Sequence, residues 1–290
     1  MEEKDFQLSK GTDSHPPRKE LGGGSALFGL LGYPLGHSFS RTFFNKKFAQ
    51  EGIDAEYVNF ELPSLDTLPR LLDEHPDLRG LNVTLPHKQA VIPYLDELSD
   101  EARAIGAVNV IRVSPASSSQ QEGKQRFLKG FNSDIIGFMD SIRPLLQPHH
   151  RRALVLGTGG ASKAICHGLE KLGLEWRYVS RKKEHQASTG VPAEAFTSPF
   201  TYSDLTPELL ADYTVIVNCT PLGMYPKVDA CPDIPYKALT PRHLLYDLVY
   251  NPEETLFLRR GREQGAIIKG GLEMLQLQAL ASWTFWNGNE

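Results

Sequence analysis

Three glycines stand where the phosphates of a nucleotide could bind. Gly157, Gly159 and Gly160 lie in the segment ALVLGTGGASKAI, directly between a short apolar run and a helix-forming run. Gly157 allows a tight turn, and Gly159 lets the backbone approach a pyrophosphate, whose charge suits the partial positive charge of a helix N-terminus. Ser162 stands where the generic pattern has a third glycine. A glycine-rich turn that binds no ligand is therefore the alternative.

The residues after the next predicted strand bear on the choice of cofactor. That strand ends at Ser180 and is followed by Arg181, Lys182 and Lys183, with no acid among them. An NAD site usually has a carboxylate about 20 residues beyond the glycines, which accepts a hydrogen bond from the ribose 2′-hydroxyl. A guanidinium can instead bind a 2′-phosphate. The basic segment predicts NADP rather than NAD, and a solvated basic turn is the alternative.

Three polar clusters could form a second site. They are GYPLGHSFS at residues 32–40, NVTLPHK at residues 82–88 and GFNSD at residues 130–134. Each is ambiguous alone, because the paired serines could cap a helix, Lys88 could lie on the surface, and Asp134 could cap the helix that follows. Together they offer a proton donor and a carboxylate to orient it, which are the groups that acid–base catalysis needs.

The composition excludes several classes of protein. The 290-residue chain is 40% hydrophobic and 23% charged, which excludes a mostly disordered, collagen-like or coiled-coil protein. Its formal net charge of −4 gives no global attraction to nucleic acid or anionic lipid. No apolar run reaches the roughly 18 residues that span a membrane, and the three cysteines show no metal spacing. We therefore expect a cytoplasmic protein with no metal site and no nucleic-acid or membrane partner.

The order of predicted elements indicates two α/β units. Residues 1–24 are rich in charge, proline and glycine and are expected to be a disordered extension. Strand, helix, strand, helix and strand follow between residues 26 and 86, which favours a parallel sheet. A hairpin comes next, with a long polar tip at residues 114–125. The second α/β unit begins near Ile135 and ends with a long helix at residues 271–286.

The polar clusters and the glycine-rich turn together resemble the shikimate dehydrogenase family. Eight motifs occur in the family's order over nearly the whole chain outside the N-terminal extension: GYPLGHSFS, NVTLPHK, IGAVNV, GFNSD, GTGGASKA, NCTPLGM, DLVYNP and GGLEMLQLQA. The resemblance implies reversible reduction of 3-dehydroshikimate to shikimate with NADPH, in the biosynthesis of chorismate and the aromatic amino acids. It also implies an α/β substrate-binding domain (residues 25–134 and 263–290), with C-terminal helices packing back on it, and a Rossmann-type NADP-binding domain (residues 135–262).

The resemblance implies roles for individual residues. Lys88 and Asp134 match the family's catalytic pair. The positions that match substrate-binding residues, with the two serines on the carboxylate, are Ser38, Ser40, Thr84, Asn109, Tyr250 and Gln278. The positions that match cofactor-binding residues are Gly157, Thr158, Gly159, Gly160, Ala161, Ser180, Arg181, Lys182, Thr220, Leu248 and Gly271.

The chemistry of ketone reduction suits Lys88 and Asp134. Hydride delivery to a ketone builds negative charge on the oxygen, which an ammonium group can stabilise and then protonate. Desolvation lowers the pKa of a lysine and a nearby carboxylate raises it, and the sequence leaves open which effect prevails. We expect Lys88 to be the proton donor and Asp134 to be its orienting, proton-relaying partner.

Two places depart from the family pattern. Arg41 stands where the family usually has proline, which is expected to alter the start of the first helix more than the serines. The family's Asn-Arg-Thr is Ser-Arg-Lys here, at residues 180–182. The second basic contact with the 2′-phosphate therefore stays open between Lys182, Lys183 and His185.

Other functions remain to be weighed against the leading one. The paired serines and the basic segment disfavour a quinate/shikimate dehydrogenase that prefers NAD. A non-catalytic NADPH-binding regulator should lack Lys88 or Asp134, and this chain has both. A related Rossmann enzyme acting on another small carboxylate stays open, as does the choice between a monomer and a homodimer. His37 and His87 flank site motifs and are interpreted as structural residues.

Overall fold

The computed structural model describes residues 25–36, 38–116, 125–181 and 199–288. Several predictions concern residues outside these ranges and are not taken further. They are the disordered extension at residues 1–24, most of the hairpin tip, His37, and the three candidates Lys182, Lys183 and His185.

The first sheet is mixed rather than wholly parallel. Its strands are β1 (Ala26–Gly32), β2 (Ala55–Glu61), β3 (Leu78–Val83), β4 (Glu97–Leu98), β5 (Val110–Pro115) and β6 (Arg126–Phe131), in the order β2-β1-β3-β5-β6-β4. The first three strands are parallel, as their alternation with helices predicts. The predicted hairpin of β5 and β6 adds antiparallel pairing beside β3, because a short connection must reverse the chain.

The helices of the first half begin and end where local residues dictate. They are α1 (Phe39–Glu51), α2 (Leu68–Glu74), α3 (His87–Ala90) and α4 (Asp100–Ile105). Ser38 caps the start of α1, and Gly52 ends it with a φ of 64°, a conformation that glycine adopts without strain. Pro69 does not prevent α2, because it lies in the first turn, where its missing N–H is not needed.

The second sheet is parallel throughout, as expected for a Rossmann-type unit. Its strands are β7 (Arg152–Leu156), β8 (Glu175–Ser180), β9 (Phe200–Thr201), β10 (Val215–Asn218), β11 (Leu244–Asp247) and β12 (Ile267–Lys269), in the order β12-β11-β10-β7-β8-β9. The helices α6 (Gly160–Lys171), α7 (Pro207–Asp212) and α8 (Leu256–Glu263) lie between its strands in the chain. The apolar residues of β7 are fully buried, which is typical of a central parallel strand.

Two helices connect the halves of the molecule, α5 (Asp134–Ile142) and α9 (Leu272–Trp286). They cross at Gly137, where a Cβ atom would fall 2.5 Å from the Met274 carbonyl oxygen. The helix α9 then returns to the first sheet, as predicted, and its Trp286 indole nitrogen donates to the Ile111 carbonyl at 3.1 Å. The strand β12, which precedes α9, pairs with β11 of the second sheet.

Neither a membrane span nor a metal cluster occurs in the described part of the chain. Of the helices within it, none is long and apolar enough to cross a bilayer. No group of three or more histidine, cysteine, aspartate or glutamate side chains within it could hold a metal ion.

Candidate active site

A cleft of about 500 Å³ brings together residues from both halves of the chain. Residues of β1 and β3 and the start of α1 line it from the first half, Met224 and Tyr250 line it from loops that follow β10 and β11, and α9 closes one side. It contains all the predicted catalytic and substrate-binding residues: Ser38, Ser40, Thr84, Lys88, Asn109, Asp134, Tyr250 and Gln278.

Lys88 and Asp134 form an ion pair inside this cleft. The Lys88 ammonium donates to Asp134 Oδ2 at 2.7 Å, and the two side chains are 17% and 12% exposed. Asn109 Nδ2 donates to the other carboxylate oxygen at 2.8 Å. Both oxygens therefore have a fixed donor, and the bond to Asp134 uses only one of the three ammonium hydrogens.

Hydrogen bonds of the backbone hold the main chain of Lys88 and Asp134 in place. Lys88 lies in the short helix α3, where the Val108 N–H donates to the Lys88 carbonyl at 2.7 Å. Asp134 is the first residue of α5, and its N–H donates to Asn132 Oδ1 at 3.1 Å. Two chain segments separated by 46 residues are thereby held in one geometry.

A buried polar network lies behind the ion pair. Asn109 Oδ1 accepts from the Ser133 N–H at 2.7 Å, which turns its amide group so that the nitrogen faces Asp134. The Ser133 hydroxyl lies 3.2 Å from Gln278 Oε1 on α9 and 3.2 Å from the Ser282 hydroxyl. Asn109 thus orients the carboxylate in this structure, while its predicted hydrogen bond to a ring hydroxyl stays a prediction, as does that of Gln278.

The predicted carboxylate-binding serines lie at the start of α1. Ser38 is the cap residue, and its hydroxyl oxygen accepts the Arg41 N–H at 3.2 Å. A proline at position 41 has no N–H to give, so this departure from the family pattern affects Ser38 as well as the start of the helix. Tyr250 follows β11, and its ring centroid lies 6.3 Å from that of Phe39. It therefore lies near the residue between the two serines, on the side of the second half of the chain.

The glycine-rich turn leaves open space at the N-terminus of α6. Gly157 has a φ of 93°, and a Cβ atom there would fall 2.7 Å from Thr220 Cγ2. At Gly159 and Gly160, in contrast, a Cβ atom would meet nothing within 4 Å. Packing within the described part of the protein therefore does not require those two glycines, which is the observation expected of a phosphate-binding turn. Ser162 replaces the third glycine and is accommodated, since its buried hydroxyl donates to the Gly159 carbonyl at 2.6 Å.

The other described residues predicted to bind the cofactor lie near the same edge of the second sheet. Ser180 ends β8 and Arg181 follows it, exposed. Thr220 follows β10, and its hydroxyl donates to Asn218 Oδ1 at 2.7 Å. Gly271 donates to the Val249 carbonyl at 3.1 Å, which holds it beside Leu248. Ligands of parallel α/β sheets bind at the carboxyl ends of strands, where these residues lie.

Asp247 holds the loops at this edge together from behind. It is fully buried, and Oδ1 accepts from Asn218 Nδ2 at 2.9 Å and from the Val249 N–H at 3.0 Å. Oδ2 accepts the Thr255 hydroxyl at 2.6 Å. Burial raises the pKa of Asp247 from 3.8 to about 6, and these hydrogen bonds act in the opposite direction. The loops that carry Thr220 and Tyr250 therefore depend on one buried carboxyl group.

We expect Asp247→Asn to change how stability depends on pH. Because the pKa is higher in the folded state, the folded wild type loses stability as the pH rises from about 4 to about 6. A shift of about two units corresponds to roughly 3 kcal/mol. The stability of the variant relative to the wild type should therefore rise over that window and stay constant above it. Urea unfolding at a series of pH values measures this difference in stability. A difference that is independent of pH would contradict the raised pKa of Asp247.

Some residues of the cleft are not among those predicted from the sequence. Asn82, Leu35 and Met224 all line it. Asn82 had a recognisable pattern, because it is a polar residue near the carboxyl end of a largely apolar strand and begins a site motif. Met224 ends the motif NCTPLGM, but its place in the cleft depends on how the two halves of the chain meet.

His87 and Cys219 lie beside site motifs without joining the site chemistry. His87 is buried, and its Nε2 lies 2.6 Å from the Leu62 carbonyl, which agrees with a structural role. Burial raises the pKa of the Cys219 thiol well above its usual value, so this thiol is a poor nucleophile.

Comparisons with known proteins bear on the family to which the chain belongs. Residues 30–111 match the family model described as the shikimate dehydrogenase substrate binding domain. The chain is 35% identical over 279 residues to the shikimate dehydrogenase (NADP(+)) of Desulforamulus reducens, covering 92% of each chain. It is 36% identical over 275 residues to that of Moorella thermoacetica, covering 92% of this chain and 89% of the relative.

Solved structures of known proteins are similar to this one as well. The crystal structure of shikimate 5-dehydrogenase from Thermus thermophilus in complex with NADP(H) and shikimate superimposes with a TM-score of 0.74 at 32% identity, covering 91% of this chain and 94% of that one. The chain belongs to the shikimate dehydrogenase family.

Proposed function

We propose that the protein is an NADP-dependent shikimate dehydrogenase, which interconverts 3-dehydroshikimate and shikimate in the biosynthesis of aromatic amino acids. The observation that supports it most is the Lys88–Asp134 pair, 2.7 Å apart in a cleft whose other walls supply hydroxyl and amide groups. Relatives of about 35% identity over 92% of the chain bear the same name.

The residues of the cleft have different roles in the reaction. Ser38 and Ser40 donate to the substrate carboxylate, and Tyr250 assists from the opposite wall. NADPH, when bound, supplies the hydride that reduces the ketone. The Lys88 ammonium stabilises the negative charge that develops on the ketone oxygen and passes a proton to it, which completes the alcohol. Asp134 holds the ammonium in place and, after the transfer, relays a proton from solvent to the neutral Lys88 amine, with Asn109 fixing the carboxylate.

The glycine-rich turn fits the cofactor. The open space at Gly159 and Gly160 adjoins the N-terminus of α6, whose first turn contains no acidic residue and no side-chain cap. A pyrophosphate there would meet the N–H groups of the first helical turn and a favourable helix dipole. Arg181, which follows β8 and is exposed, binds the 2′-phosphate in this proposal.

Nicotinamide reduction in a two-by-two grid tests the function. Purified protein is assayed with shikimate or quinate and with NADP or NAD. Strong turnover with shikimate and NADP alone is the expected result. Turnover with quinate or NAD would favour the broader-specificity alternative. If none of the four assays showed turnover and the protein still bound NADPH, the result would favour the non-catalytic regulator.

We expect Arg181→Ala to weaken NADP binding far more than NAD binding. A hydrogen bond to a charged group contributes about 1.5–3 kcal/mol, so the KM for NADP should rise roughly 10- to 100-fold. The KM for NAD should change little, because NAD has no 2′-phosphate. Arg152→Ala is a matched control, since Arg152 is also exposed but lies at the start of β7 and pairs with Glu175. Equal weakening of both cofactors would place the 2′-phosphate elsewhere.

Three further predictions from the sequence belong to this proposal. One is the division into a substrate-binding and a cofactor-binding domain, which limited proteolysis would check. The others are a cytoplasmic location and a monomeric or homodimeric state, which cell fractionation and analytical ultracentrifugation would check.

A further inference from the structure

A buried serine joins two residues of the cleft that the sequence predicts to bind the substrate. Ser133 is fully buried and lies at the cap position of α5, directly before Asp134. A serine at this position ordinarily caps its helix by accepting an N–H of the first turn, yet Ser133 makes no such side-chain hydrogen bond. The start of α5 therefore does not use the Ser133 hydroxyl, which has other partners.

Those partners are the side chains of Asn109 and Gln278, which both line the cleft. Asn109 Nδ2 donates to the Ser133 hydroxyl oxygen at 3.1 Å, and that hydroxyl donates to Gln278 Oε1 at 3.2 Å. Asn109 directly precedes β5, whereas Gln278 lies on α9. One buried hydroxyl therefore connects the residue that orients Asp134 with a predicted substrate-binding residue on another element.

The other hydrogen bonds of this network fix where the single hydroxyl hydrogen of Ser133 goes. Asn109 Oδ1 already accepts the Ser133 N–H at 2.7 Å. The Ser282 hydroxyl accepts from Asn82 Nδ2 at 2.9 Å and donates to the Gln278 carbonyl at 2.8 Å, so it already has both kinds of partner. Among the described residues, Ser133 is the only donor to Gln278 Oε1, and a buried acceptor needs a donor.

The amide group of Gln278 is thereby held in one orientation. Its nitrogen donates to the Leu275 carbonyl at 3.0 Å, while its oxygen accepts from Ser133. Exchanging the two ends of the amide would set Oε1 against the Leu275 carbonyl oxygen, where two acceptors repel each other. The bond to Leu275 uses only one of the two amide hydrogens, and the other can be donated to a ligand in the cleft.

We propose that the Ser133 hydroxyl is a positioning group, which holds the Gln278 amide for a ring hydroxyl of the substrate and thereby sets the affinity of the cleft. The inference rests on the proposed function, since it takes shikimate as the substrate and Gln278 as one of the residues that bind it. A preorganised donor binds more tightly because the entropy of ordering it is lost on folding rather than on binding. Without the Ser133 hydroxyl, the buried Oε1 lacks its donor and the Gln278 side chain is free to rotate.

Ser133→Ala tests this role, because it removes a single oxygen atom from the network. We expect the KM and Kd for shikimate to rise about tenfold, with kcat changed less than about twofold. The effect on kcat is small because Asn109 keeps its bonds to the Ser133 N–H and to Asp134, at 2.7 and 2.8 Å. The carboxylate therefore stays oriented, and the dependence of kcat on pH should stay that of the wild type.

Ser141→Ala is the matched control. Ser141 is also a buried serine of α5, and its hydroxyl lies 2.6 Å from the Tyr246 hydroxyl rather than beside a residue of the cleft. It should lower the melting temperature and leave the KM for shikimate unchanged. Thermal melting of both variants shows that they are folded.

A double variant and a set of analogues test whether the effect passes through Gln278. In a Gln278→Ala background, Ser133→Ala should have little further effect on the Kd for shikimate, because the side chain that it positions is gone. Analogues of shikimate that each lack one ring hydroxyl give a second measure. The analogue without the hydroxyl that Gln278 binds should have the same Kd for the wild type and for Ser133→Ala, whereas the others should keep the difference.

The results also separate this inference from the function on which it rests. An unchanged KM for shikimate, a fall in kcat as large as the rise in KM, or an undiminished effect in the Gln278→Ala background would overturn the role of Ser133 alone. Failure of the wild type itself to oxidise shikimate would overturn the proposed function, and the positioning role with it.

Discussion

Replacing Lys88 with alanine should lower kcat about 1000-fold while changing the Kd for shikimate only a few-fold. Positioned acid–base groups contribute about 10²–10⁴ to rate, and the ammonium is the group placed to protonate the ketone oxygen. Stopped-flow turnover and a separate binding titration measure the two quantities. A small change in kcat, or a rise in KM alone, would contradict the assigned role.

Two further variants sharpen this test. Lys88→Arg keeps the positive charge and the link to Asp134, but a guanidinium does not release its proton at ordinary pH. We therefore expect it to bind shikimate and to remain nearly inactive. Lys129→Ala removes a lysine of similar burial, 13% exposed and paired with Glu97 at 2.9 Å on the first sheet. It should keep kcat within about twofold, because it lies outside the cleft.

Local patterns explain which elements could be predicted. The strand β1 is a short apolar run, α1 has a cap and a terminal glycine, and β7 is buried on both faces. The mixed pairing of the first sheet was harder to predict from the sequence. Helices alternate with β1, β2 and β3, which indicates parallel strands, and this alternation stops at the hairpin. The strands β9 and β12 have only two and three residues, too few to show a period.

The residues of the site likewise divide into those that could be predicted from the sequence and those that could not. Lys88 and Asp134 belong to motifs that are ambiguous alone and recognisable together, and the structure brings the two side chains within 2.7 Å. The groups that orient them could not be found this way, because their contacts join distant parts of the chain. Asn82 and Ser282, for example, are 200 residues apart and 2.9 Å from atom to atom. Such contacts depend on where α9 returns to the first sheet, which periodicity does not specify.

Replacing Gly159 with aspartate should abolish NADPH binding while leaving the fold as stable as before or slightly more so. Gly159 caps α6 with φ −73° and ψ 176°, which any residue adopts, and a Cβ atom there meets nothing. Aspartate is a favoured cap residue, so the helix loses nothing. Its carboxylate, however, would occupy the position proposed for the pyrophosphate and repel it. We expect the Kd for NADPH to rise at least about 100-fold, since each 1.4 kcal/mol is tenfold.

Gly159→Asn separates charge from size, because asparagine has the same shape and caps equally well. It should weaken NADPH binding clearly less than aspartate does, with an equal melting temperature. NADPH fluorescence titration and thermal melting measure both effects, and shikimate binding, which involves the other half of the cleft, serves as the internal control. If the aspartate variant bound NADPH like the wild type, the pyrophosphate would not lie at the N-terminus of α6. If both variants lost shikimate binding as well, the substitution would have disturbed the fold, and the open space at Gly159 would not be a ligand site.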